Sequence, residues 1–224
     1  MVSKNYFDPN MISSPTLAFL KALKKNNNKA WFDEHRENYN AAKYNFEEFV
    51  VLLLQKMIEF DEDMKELIPK NCTFRINRDV RFSKNKTPYK INLSASFNRG
   101  GKKSMYGGYY FHLQPGNNNF VGGGLWRPEP ADLKKLRQEI DYCFPEFKKI
   151  IGAPAFKKHY GGLEKDENQM LLNIPKGYDK ENPAADYLRM KNFIATKNLS
   201  GDDVLSPKLV NEVIQSFRRG NSAS

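Results

Sequence analysis

Hydrophobic spacing divides the chain into three stretches, helical, then alternating, then helical again. Behind Ser14-Pro15, Leu17, Leu20 and Leu23 recur at helical spacing. Ser is a good cap there, and Pro suits a first helical turn. The pattern stops in "KKNNNK". A longer stripe follows through Trp31, His35, Tyr39, Ala42, Phe46, Phe49, Val50, Leu53, Leu54, Met57 and Ile58. It predicts an amphipathic helix, interrupted near Asn38 to Asn40 and closed by Asp61 to Asp63. From Cys72 the period becomes two. Phe74, Ile76, Val80 and Phe82 alternate with Arg75, Asn77, Asp79 and Arg81, which predicts a strand with one apolar face. "SKNKTPY" reads as a loop, because Pro88 removes a ladder donor. "KINLSASFN" reads as a second strand, and "YYFHLQ" and "FVGGGLW" as a hairpin around "PGNNN".

Helical spacing returns at Pro130, with Leu133, Leu136, Ile140 and Phe144 on one side. "FKKIIGAPAFKKHYGG" predicts short helical pieces, "MLLNIP" a short strand, and "PAADYLRMKNFIATKNL" a short helix followed by a strand. Ser206-Pro207 caps a last helix carrying Leu209, Val210, Val213, Ile214 and Phe217. No internal repeat or linker interrupts residues 1–224. The expectation is one α+β domain, with a mostly antiparallel sheet of four or five strands flanked by N- and C-terminal helices. Residues 1–11 and 220–224 read as frayed tails.

Charge changes this picture at one place. The chain carries +10, and its distribution is uneven. Residues 70–103 hold ten basic side chains against Asp79 alone, while the rest of the chain carries 26 basic and 25 acidic residues. Such concentration points to an anionic partner. Composition excludes other classes. Cys72 and Cys143 are the only cysteines, with no CxxC, so no disulfide or zinc framework is expected. No apolar run reaches ~18 residues, the length a membrane span needs. The reading is a cytoplasmic protein without a membrane partner.

The basic stretch supplies candidate chemistry. On a strand, Arg75, Asn77, Asp79 and Arg81 share a face, with alternate residues roughly 7 Å apart. Asp79 can hold either guanidinium in place, and arginine forks suit phosphate or carboxylate. Lys84 and Lys86 add mobile charges. Arg78 falls on the apolar face, where a guanidinium needs a partner; a bulge, or Asp33 or Glu34 of the helix, meets that need. Tyr89 and Tyr110 offer stacking surfaces. His112, on the face of Tyr110, is the natural acid or base beside Asp79, and Gly122 to Gly124 would let a ligand approach the backbone. His35 reads as packing and His159 lies in an irregular stretch. The three histidines lack ligand spacing, and neither a metal site nor a cofactor is expected.

Arg75, Arg78, Asp79, Arg81, Phe82, Asn85, Lys86 and Tyr89 match R-x-x-R-D-x-R-F-x-x-x-[DN]-K-x-x-Y. This resembles the signature of the family catalogued as domain of unknown function 2461. "NNNKAWFDEHRENY", "GGYYFHLQPG", "FVGGGLWRPEPADLKKLRQEI" and "LSPKLVNEVIQSFR" extend the resemblance over residues 12–219. It departs at the C-terminus, where relatives often continue into a further packed segment. The resemblance implies no reaction, substrate or cofactor, only that the charged stretch is a defined feature.

Three readings follow. One is a module binding an anionic, phosphate-bearing ligand, nucleotide or nucleic acid, through Arg75, Arg78, Asp79, Arg81, Asn85, Lys86, Tyr89 and Tyr110. The second is a structural or protein-interaction domain in which the motif is a buried ion-pair element. The third is a metal-independent enzyme acting on an anionic substrate.

Overall fold

A computed structural model describes residues 8–221. The fold is α+β, and its sheet has four antiparallel strands in the order β1-β2-β3-β4. These are β1 (Leu93–Asn98), β2 (Gly108–Leu113), β3 (Asn119–Leu125) and β4 (Phe193–Leu199). The first three form a meander. The chain then leaves for a set of helices and returns to pair β4 with β3, from Asn119↔Leu199 to Leu125↔Phe193.

Helices α1 (Ser14–Lys25), α2 (Lys29–Glu34) and α3 (Arg36–Met57) precede the sheet. Ser13, one residue earlier than the sequence predicts, caps α1 by accepting the Thr16 N–H, and Pro15 sits in the first turn. Asn26 ends α1, and Asn28 caps α2. The break in the long stripe falls at His35 rather than at Asn38 to Asn40, because the His35 ring lies on Trp31 at 4.1 Å and its backbone leaves helical geometry. Asn45 of α3, with no exposed surface, accepts from the Ser13 N–H and the Thr16 hydroxyl, both at 2.9 Å, and so ties the start of α1 to α3. Buried polar groups are costly unless hydrogen-bonded in this way.

Short α4 (Pro69–Cys72) leads to the sheet. Beyond β3 come α5 (Pro130–Tyr142), α6 (Phe144–Ile151), α7 (Pro154–Tyr160) and α8 (Ala185–Leu188); α9 (Gly201–Val204) and α10 (Leu209–Asn221) follow β4. One face of the sheet carries Leu93, Ala95, Phe97, Tyr109, Phe111, Leu113 and Val121 into the main core. There Phe111 meets Phe49 of α3 at 5.0 Å, and Phe217 of α10 meets both Phe97 and Tyr109. Leu209, Val210, Val213, Ile214 and Phe217 are all buried, as their spacing predicts. Truncating a ring such as Phe217 to Ala costs about 3–5 kcal/mol in such cores. A smaller cluster joins Ile140 of α5 to Ala184, Leu188, Met190 and Phe193.

Two predicted strands do not form. "MLLNIP" contributes only the bridge Met170↔Met190, and Leu172 stands 91% exposed. The alternating stretch from Phe74 to Phe82 is an irregular arm, because only Thr73 and Phe74 reach β1 and, among the described residues, no further strand lies alongside. Of the expected tails, residues 1–7 and 222–224 lie outside the described residues. Asn10 offers its carbonyl to the Val210 N–H at 3.2 Å, and α10 runs to Asn221. Among the described residues, no helix is long and apolar enough to cross a membrane.

Candidate functional site

The arm begins where α4 delivers the chain to the sheet edge. Thr73 bridges Ala95, and the Phe74 N–H donates to the Ser94 carbonyl at 3.1 Å. The chain then turns away and comes back. The Lys90 N–H donates to Ile76 at 2.7 Å, Asn77 bridges Tyr89, and the Arg78 N–H donates to the Pro88 carbonyl at 2.9 Å. Pro88 has no N–H to return the bond, so the backbone ladder ends there.

Beyond that point side chains hold the tip. Arg78 donates to the Thr87 hydroxyl at 2.6 Å and to the Ser83 hydroxyl at 3.4 Å. Asn85 accepts from the Thr87 N–H and hydroxyl at 3.0 and 2.8 Å. The Lys86 ammonium caps the carbonyls of Val80 and Arg81 at 3.0 and 3.4 Å. Arg81 grips Asp79 with two N–H groups, at 3.0 and 2.6 Å. That pair is exposed, and the Arg81 hydrogen bonds hold the Asp79 carboxyl below its ordinary range. The arm's root is clasped by Asn27, in the turn between α1 and α2. Its amide donates to the Tyr89 carbonyl at 2.9 Å and accepts from the Tyr89 N–H at 3.0 Å. The Tyr89 ring stacks on Phe32 at 4.0 Å and is 6% exposed.

These contacts revise the sequence reading. Arg78 finds hydroxyls, not a helix carboxylate; Asp33 instead pairs with Lys29 and Arg36. Tyr89 is a core ring and offers no stacking face. Arg78, Asn85 and Lys86 are engaged within the arm. His112 and Asp79, expected as neighbours, share no contact: Asp79 stays with Arg81, while His112 contacts Asn92, Tyr110, Gln114 and Phe120. No acid–base pair is assembled from them.

A second arrangement emerges at the sheet face opposite the core. Ser94, His112, Phe120 and Asn198 form one cross-strand row, and Ser96, Tyr110, Gly122 and Thr196 the next. Phe74 covers the β1–β2 end of this face, its ring 6.4 Å from Tyr110. Two ammonium groups approach the Phe74 ring, Lys90 at 5.3 Å and Lys102 at 6.0 Å. Gly100 and Gly101, both with positive φ, turn the chain so that Lys102 reaches the carbonyls of Lys70 and Thr73 at 2.7 and 2.5 Å. Burial lowers the pKa of Lys90, and the charges of Arg75 and Lys102 lower it further. The charges of Arg75 and Lys102 thus both act on Lys90; Arg75 also acts on Asp79, but among the described residues none of the three is ion-paired with a carboxylate. Such a cluster stabilises an anion and is relieved by one.

Beside it, burial raises the Tyr110 hydroxyl's pKa, opposed by a Ser94 hydrogen bond, and lowers that of His112, opposed by Gln114. The side-chain Oδ1 of Asn92 is buried without a hydrogen-bond partner among the described residues. Of the predicted residues, Arg75 and Tyr110 belong to this arrangement. Phe74, Lys90, Asn92 and Lys102 join it unforeseen. The basic count of residues 70–103 already included both lysines; only the edge pairing at Thr73 and Phe74 reveals that they converge.

The glycine run has a structural cause. A Cβ at Gly122 would lie 2.2 Å from the Ala195 carbonyl oxygen, and one at Gly124, where φ is +126°, 2.0 Å from that of Phe193. Backbone of β4 occupies the space that the sequence reading reserved for a ligand. A cleft of about 80 Å³ beside Trp126 and Asn192, and one of about 340 Å³ between Arg137 and Tyr178, lie outside the arm and contain none of its residues.

With this geometry in place, comparison with known proteins adds one finding. The family described as "Conserved hypothetical protein (DUF2461)" matches residues 15–222, so the chain belongs to that family. No curated protein and no solved structure matches it.

Proposed function

We propose that this member of the family binds a phosphate-bearing anion, a nucleotide or a nucleic acid, at the root of the arm. One observation carries the reading: Lys90 and Lys102 reach the Phe74 ring, the charge of Arg75 acts on Lys90, and none of the three is ion-paired with a carboxylate among the described residues. Arginine supplies a planar fork and the lysines point charges, the combination suited to phosphate oxygens. Tyr110 and His112 border the site with neutral donors and acceptors. We take the compartment to be the cytoplasm, on the free thiols of Cys72 and Cys143.

The test is thermal stabilisation by inorganic phosphate, mono- and dinucleotides and short oligonucleotides, in the parent and in Arg75→Ala/Lys90→Met. A ligand at about 100 times its dissociation constant stabilises by roughly 2.7 kcal/mol, and the double variant should lose that gain. Stabilisation of both proteins alike, or of neither by any phosphate compound, sinks the proposal.

A second reading has its own observation. Arg78, Asn85 and Lys86 are engaged within the arm, as a structural or interaction element requires. On this reading Arg78→Met destabilises the arm by about 1–3 kcal/mol and leaves phosphate binding as it was.

A further inference from the structure

We propose that the arm reads single-stranded nucleic acid, with the Phe82 ring as a platform for an unpaired base. The inference rests on the phosphate reading above and names its ligand. Phe82 is 96% exposed, more than any other large apolar side chain among the described residues. The fold makes no use of it. Within the described residues its ring meets no other aromatic ring, and the Arg81 guanidinium lies 5.9 Å from its centroid.

Nor is the ring displayed by a loose loop. Arg78, Asn85 and Lys86 fix residues 78–87 to one another, and Asp79 fixes the Arg81 fork. The tip therefore holds a solvent-facing ring beside a positioned guanidinium, with Lys84 exposed nearby. At the root lie Arg75, Lys90 and Lys102. At most roughly 23 Å of chain separates Arg75 from Phe82, at about 3.3 Å per residue. That sets a π face at one end of the arm and a group of cations at the other.

Single strands are held by such a combination, because phosphates follow positive charge and every base has a face that stacks. A duplex buries its base faces and offers the ring nothing. A lipid surface is the competing partner for an exposed ring among cations. One ring is too little for it, since it buries less apolar surface than a single acyl chain, which by itself binds a membrane only marginally.

The experiment is fluorescence-anisotropy titration with labelled oligo(dT), a labelled duplex of equal length, and vesicles of phosphatidylserine and phosphatidylcholine. The proteins are the parent, Phe82→Ala, Phe82→Leu, Phe82→Tyr and Arg75→Ala/Lys90→Met. Phe82→Ala should weaken oligo(dT) binding about tenfold, the effect of removing one stacked base. Phe82→Leu should fall with Ala, because a leucine is apolar but has no π face, and Phe82→Tyr should keep parent affinity. The ring is exposed, so an unchanged melting temperature separates these losses from unfolding. Equal oligo(dT) affinity in the parent and Phe82→Ala overturns the proposal. So does a duplex that binds as tightly as the single strand, or vesicle binding that disappears in Phe82→Ala and survives in Phe82→Leu.

Inorganic phosphate tests the underlying reading separately, since it has no base. If phosphate stabilises the parent but not the double variant while Phe82→Ala binds oligo(dT) normally, the site at the root stands and the base platform falls. If Phe82→Ala loses oligo(dT) while the double variant binds it as the parent does, the platform stands and the root site falls.

Discussion

Two hairpins of this molecule, with β1 between them, are held together in opposite ways. The β2–β3 hairpin is a ladder, in register from Gly108↔Gly124 to His112↔Phe120, and its loop is closed by Asn119 accepting the Gln114 N–H. The arm has three cross-chain pairings near its root, and its tip depends on Arg78, Asp79, Arg81, Asn85 and Lys86. Where the backbone fixes register, side chains are released, and one face of the ladder goes to the core while the other presents Tyr110 and His112. Where the backbone cannot, charged side chains take over the work of folding. The tip of the motif is thus held by its own side chains, while Arg75 at its start lies with Lys90 and Lys102, none of the three ion-paired with a carboxylate among the described residues.

Breaking the ladder should have the largest effect. In Gly124→Val a Cβ would meet the Phe193 carbonyl at 2.0 Å from a backbone with φ of +126°. We expect a loss of about 4 kcal/mol or more, seen as a collapse of the urea midpoint. Asn27→Ala tests the arm's attachment. It leaves the N–H and carbonyl of Tyr89 without their partner, for roughly 1–3 kcal/mol. Hydrogen exchange should quicken at Tyr89 and Lys90 and stay slow at Phe111. Equal quickening at both places would mean that the two hairpins unfold as one.

Acid should separate the hairpins by window. His112, on the ladder, has its pKa lowered from 6.5 by burial. Below pH 6.5 the unfolded chain takes up that proton before the folded one, so stability falls as pH falls toward the folded value. The decline should be shallower in His112→Gln. Asp79, on the arm, has its pKa lowered from 3.8 by Arg81. Its contribution is present above 3.8 and disappears as pH falls through the lowered value. Asp79→Asn should give the smallest change of the four at neutral pH, since the pair is exposed and screened, with parent and variant curves merging at low pH.

Sequence pattern was a good guide wherever burial follows period. The stripe of α10 and the strands around "PGNNN" lie as their spacing predicts, because a single face of each meets the core. Phe74 to Phe82 alternate just as regularly and form no strand, because alternation records which residues are apolar and not whether a neighbouring strand exists. Phe82, the last apolar member of that series, is the most exposed of all. The candidate site was half legible for a related reason. A charge count located it within residues 70–103, yet Lys90 and Lys102 meet only because Phe74 lies between them at the sheet edge. Parity placed Tyr110 and His112 on one face correctly, and could not tell that Asp79 belongs to the arm.

The clasp between Asn27 and Tyr89 joins positions 62 residues apart. Contacts of such separation form slowly, since the intervening chain must be organised before its ends can meet. Here the intervening chain includes all of α2 and α3. The arm can fasten there only where the turn between α1 and α2 is set, so its attachment depends on how the helical hairpin is docked. A change in the turn between α1 and α2 therefore reaches the cationic surface without touching any of its residues, and any ligand of the arm would recognise only the docked arrangement.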